Sequence, residues 1–90
     1  MKQEDLIYTR HAYTQTGRRL RLEYYRLAHP DSEARTGYGA AIRCTAQDGV
    51  DYAAVFNITI VPEQIDRLLS TLARCTVTPV TLRDVIEDIL

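Results

Sequence analysis

The chain has 90 residues, 46% of them hydrophobic, and carries 11 basic against 12 acidic residues for a formal net charge of -1. That is the length of one domain, apolar enough to fold around a thin core without disulfide or metal staples. The balance is too near neutral for a nucleic-acid coat or a membrane-surface binder acting through bulk charge. Met1-Lys2-Gln3-Glu4-Asp5 lacks the basic opening of a signal peptide, and no run approaches the roughly 20 apolar residues of a membrane helix, so a cytoplasmic location is expected.

Residues 6 to 15 mix β-branched and aromatic side chains with polar ones. Residues 20 to 27 alternate, with Leu20, Leu22 and Tyr24 pointing one way and Arg21 and Glu23 the other. Thr16-Gly17-Arg18 between them reads as a hairpin turn, in which Gly17 supplies a positive φ. Residues 29 to 37 are polar, contain Pro30 and Gly37 and follow no period; they are expected to form the longest loop, with a mobile tip. A third strand over residues 38 to 46 puts Tyr38, Ala40, Ile42 and Cys44 on one face. Asp48-Gly49 then signals a second hairpin into residues 50 to 58. In this fourth run Val50, Tyr52, Ala54 and Phe56 share one side, while Ala53 and Val55 share the other. Apolar residues on both sides suit an interior strand, or one whose outer face meets a partner.

At Pro62 the period changes from two to 3.6: Ile65, Leu68, Leu69, Leu72 and Ala73 form one helical face behind a proline suited to the first turn. The helix should fade near Cys75, before the β-branched Thr76-Val77-Thr78 and Pro79. Thr81 and Asp84 have the spacing of a capping box for a second helix, which runs to the end of the chain with Leu82, Val85, Ile86, Ile89 and Leu90 as its apolar stripe. Such a short helix must dock to persist. The expected fold is α+β: a four-stranded antiparallel meander followed by two C-terminal helices packed on one face, ββββαα, in a single domain spanning residues 1–90.

The segment from Leu72 to Leu90, with its Val77-Thr78-Pro79 step and closing Asp84-Val85-Ile86-Glu87-Asp88 helix, resembles the end of a family of short uncharacterised bacterial proteins. Tyr38-Gly39, the hairpin after it and Asn57-Ile58 resemble the same family, which covers about the last 50 residues well and the first hairpin loosely. Its domain is one of unknown function. The resemblance therefore implies a fold and no activity, and it transfers no catalytic residue.

Two groups of residues are candidates for contact with a partner. Arg19, Arg21, Tyr25 and Arg26 lie in the basic, aromatic-interleaved stretch; alternation places Arg19, Arg21, Glu23 and Tyr25 on one face, which would suit single-stranded RNA or an acidic ligand. Asp84, Glu87 and Asp88 crowd the end of the last helix, where the helix dipole disfavours negative charge, which points to a basic partner surface. The first 45 residues hold eight basic and five acidic groups and the remainder three and seven, so the near-neutral total hides two halves of opposite sign. Against these stand plainer readings: a wet helix face, an ordinary charged sheet face, and arginine-rich codon usage behind ten arginines to one lysine.

His11, His29, Cys44 and Cys75 show no paired spacing of the kind zinc requires, and Cys44 and Cys75 read as two reduced, buried thiols. No nucleophile elbow, glycine-rich phosphate loop or acid-base pair can be read, so no catalytic residue, cofactor or metal is assigned. The acidic second helix argues against a DNA-binding helix-turn-helix. The expected function is a small cytoplasmic protein-protein interaction or regulatory module, homodimeric through the fourth strand or the sheet edge. The alternative is binding of single-stranded RNA or an acidic ligand by the arginine hairpin, with nucleic acid the less favoured partner and no membrane partner.

Overall fold

The computed structural model describes residues 3–30 and 35–89. Four strands, β1 (Gln3–Tyr13), β2 (Arg19–Pro30), β3 (Thr36–Ala46) and β4 (Gly49–Thr59), form one antiparallel sheet in the order β1-β2-β3-β4. Helix α1 (Pro62–Arg74), a 3-10 turn (Pro79–Thr81) and helix α2 (Leu82–Ile89) follow. This is the ββββαα arrangement expected from the change of period at Pro62.

The strands are longer than their alternation announces. His29 pairs with Gly37 and Pro30 with Thr36, so both ends of the polar stretch read as a loop belong to the ladder, because backbone pairing continues where side-chain periodicity stops. The tip of that loop, residues 31–34, lies outside the described residues. Gly17 takes φ 84° in the first turn, as a tight turn there requires. Two irregularities bend the edge strands, between Leu6 and Tyr8 on β1 and opposite Tyr38 and Ala40 on β4.

Both helices cover one face of the sheet. Leu22, Tyr24, Ala40, Ile42 and Cys44 from the sheet pack against Ile65, Leu68, Leu69, Leu72 and Ala73 of α1, and Leu82 and Ile86 of α2 close the same core. Burying a leucine side chain is worth about 1.5–3 kcal/mol. The expected helical face of α1 is therefore the face that docks.

α1 ends in a Schellman turn: the Val77 amide donates to the Leu72 carbonyl (3.0 Å) and the Thr76 amide to the Ala73 carbonyl (3.1 Å), with Thr76 at φ 48°. This turn buries Val77 beside Leu72. The entry to α2 differs from the expected capping box. The Thr81 hydroxyl turns back to the Thr78 carbonyl at 3.4 Å, because Pro79 starts a 3-10 turn one step earlier.

Two further expectations are corrected. β4 is an edge strand, not an interior one, since the sheet ends with it. The two cysteines are free as expected, but only Cys44 is buried; Cys75 is exposed because the helix ends there and its side chain leaves the docked stripe.

Candidate functional site

With both helices on one side, no second layer covers the opposite face of the sheet among the described residues. The register sets its residues in rows that cross the strands. Leu6, Tyr25, Ala41 and Ala54 form a row through all four strands, Thr9, Glu23, Arg43 and Tyr52 form the next, and His11, Arg21, Thr45 and Val50 a third. Tyr13 opposite Arg19 continues toward the first turn, and Glu4, Leu27 and Gly39 lie on the other side of the apolar row.

This outer face has its own small cluster of buried apolar residues, Tyr25, Leu27 and Ala41, with Ala54 packed against it. Beside it Leu6 and Phe56 are each 50% exposed and Tyr52 is 48% exposed. In place of a helix, long side chains cover the cluster. The guanidinium of Arg43 lies 5.5 Å from the centre of the Tyr25 ring, within cation-π range. Tyr52, on β4, donates a 2.9 Å hydrogen bond to Oε2 of Glu4 on β1, so a side-chain link joins the two edge strands over the sheet. Burial, and next the bond to the Glu4 carboxylate, push the Tyr52 phenol up to about 12. Burial likewise raises the Tyr25 phenol, helped by the nearby charge of Glu23 and opposed by Arg43. The Glu23 side chain is only 15% exposed; its Oε1 has no hydrogen-bond partner among the described residues and lies 4.0 Å from Nε of Arg21.

Toward the hairpin tips the face becomes basic. His11, Tyr13, Arg18, Arg19 and Arg21, with Thr45 from β3, line an open depression of about 760 Å³ whose walls contain no carboxylate among the described residues. Arg18 is held by Asp48 of the β3–β4 turn, which ties the two hairpin tips together. This pairing lowers the Asp48 carboxyl, first through the hydrogen bond from Arg18, and raises the Arg18 guanidinium. Arg19 and His11 make no ion pair among the described residues.

The structure separates the residues singled out in the sequence. Arg19, Arg21 and Tyr25 share the outer face, in the alternation expected of β2. Arg26 points to the opposite face, where its guanidinium sits 3.5 Å from Asp5 of β1 and 3.3 Å from Asp66 of α1 and clips the helix to the sheet. Asp84, Glu87 and Asp88 are exposed on α2, in the helical layer, away from the arginines. Leu6, Arg43, Tyr52 and Phe56 were not foreseen as members of the site. The alternation of the fourth run already paired Tyr52 with Phe56; only the register shows that they meet Leu6 and Tyr25. Among the described residues no group of three or more His, Cys, Asp or Glu could hold a metal ion, and no helix is long and apolar enough to cross a membrane.

No curated protein and no solved structure matches the chain. The profile of a family of unknown function, DUF6514, matches residues 3–90, so the match takes in the first hairpin as well as the C-terminal helices. The chain belongs to the DUF6514 family.

Proposed function

We propose that the protein is an interaction module that holds a protein partner against the open face of its sheet. The observation that carries this reading is the second apolar cluster: Tyr25, Leu27 and Ala41 are buried on a face that no layer covers among the described residues, and Leu6, Tyr52 and Phe56 extend the cluster into solvent. A contiguous apolar patch rimmed by charged residues is the usual signature of a docking surface on a small domain. A photo-crosslinking amino acid placed at Phe56 tests it. Cells expressing that variant should yield a discrete protein adduct, absent when the same group is placed at Val80 on the helical layer. The same adducts from both positions would defeat the reading, as would none from position 56.

A second reading concerns self-association. β4 is an edge strand with Asp51 as its single charged residue, whereas the other edge, β1, carries Glu4, Asp5 and Arg10. Charges on an edge discourage strand addition, so β4 is the less protected edge, and two copies pairing through it would form an eight-stranded sheet. Sedimentation should then show a concentration-dependent dimer that Val50→Lys with Tyr52→Lys converts to monomer. A strictly monomeric wild type across a wide concentration range would remove this clause.

A further inference from the structure

The outer face combines two chemistries at a fixed spacing, and this spacing restricts what its partner can be. Tyr25, in the apolar row, and Arg21, in the basic row, are four residues apart on β2, which is about 13 Å along an extended strand. Arg21 has the Glu23 carboxylate at 4.0 Å as its only ion-pair partner among the described residues, and Arg19 has none. His11 is directly opposite Arg21, Arg19 is two residues away on the same side, and the depression they line has no carboxylate in its walls among the described residues. Two arginines on one side of β2, beside a depression with no carboxylate among its described lining residues, make this end of the face complementary to negative groups. Its volume of about 760 Å³ falls in the range of about 300–1,000 Å³ typical of ligand sites.

We infer that the partner is a polypeptide with an extended acidic-apolar segment: apolar side chains rest on Leu6, Tyr25 and Phe56, and carboxylates about four residues along enter the depression formed by His11, Arg19 and Arg21. The inference rests on the proposed docking role of the face and adds the chemistry of what docks. Single-stranded nucleic acid would satisfy the arginines and could stack on Tyr25 and Phe56, but it has no aliphatic side chains to match Leu6, Leu27 and Ala41.

The test uses the folded full-length protein tethered through exposed Cys75, on the helical layer, and panned against a phage-displayed library of random 16-residue peptides. Enriched peptides should carry Asp or Glu about four positions from apolar residues. The best of them, made synthetically, should bind at least tenfold more weakly to the Arg19→Gln, Arg21→Gln double variant, with a salt-dependent difference. The substituted side chains lie on the exposed face, circular dichroism checks the fold, and Arg83→Gln on α2 controls for loss of charge alone. No enrichment, enrichment without acidic bias, equal binding to the double variant, or displacement of the peptide by hexauridylate at equal concentration would each overturn the inference. The two ideas fail separately. If Phe56 adducts form but are indifferent to Arg19 and Arg21, the docking face stands and the acidic segment falls; if no adducts form, the docking face itself falls.

Discussion

The Tyr24 hydroxyl donates a 2.8 Å hydrogen bond to the main-chain carbonyl of Val77, joining the centre of β2 to the turn that ends α1, 53 residues later. Tyr24 is fully buried, so this bond satisfies two polar groups inside the core. Tyr24→Phe keeps the ring and strands the Val77 carbonyl, which should cost about 1–3 kcal/mol in denaturant unfolding.

The same phenol sets an alkaline limit. Burial raises Tyr24 from 10.0 to about 12, because the phenolate is poorly solvated in the core. A group whose folded value lies above its unfolded one contributes its full stability below the unfolded value and loses it as pH rises through the folded one. Stability should therefore hold up to about pH 10 and fall between 10 and 12. Tyr24→Phe should lessen that fall in melts followed against pH, leaving the share of Tyr52, which is also raised to about 12.

Thr76 occupies the left-handed position of the Schellman turn, φ 48°, which a β-branched residue adopts at a cost. Thr76→Gly removes that strain and sacrifices only the local hydroxyl bond to the Cys75 carbonyl. The variant should be more stable by about 1 kcal/mol, read as a rise of about 4–8 °C in Tm for a domain of this size. A lower Tm would show that the threonine is not strained.

Gly39 lies where β3 passes the irregular part of β4. A Cβ there would run into the Val55 carbonyl oxygen and sit 3.0 Å from the Phe56 Cα, both main-chain atoms that cannot rotate aside. Gly39→Ala should destabilise by about 3 kcal/mol, the upper end for overpacking, and disturb Phe56 on the outer face. Unchanged stability would mean that β4 moves freely away.

The two thiols should behave differently. Cys75 is exposed, whereas Cys44 is buried and its thiol is raised by that burial. An aromatic disulfide reagent should titrate one thiol per chain in native buffer and the second only on unfolding. Two fast thiols in native buffer would contradict the burial of Cys44.

Features that depend on side-chain period could be read from the sequence, and those that depend on pairing could not. The helical face of α1, the Asp48-Gly49 hairpin and the alternation of Arg19, Arg21 and Tyr25 follow from spacings of 3.6 and two. The extension of β2 to Pro30, the edge position of β4 and the irregularities near Leu6 and Asn57 are set by which strands exchange hydrogen bonds, and no local pattern encodes that. The site shows the same division. Its arginines were visible on one strand, but the meeting of Leu6, Tyr25 and Phe56 needs the register of four strands. Arg26 shows the limit of composition alone: it shares its stretch with Arg19 and Arg21 and serves the opposite face.

The row of Leu6, Tyr25, Ala41 and Ala54 runs across every strand of the sheet. A ligand seated along it would clamp the whole ladder, edges included, and unfolding any strand would require its release. Occupancy should thus register as global thermal stabilisation: at a hundred times its Kd a ligand adds about 2.7 kcal/mol. The melting curve of the protein is therefore itself a binding assay, able to find a ligand before any chemistry is known.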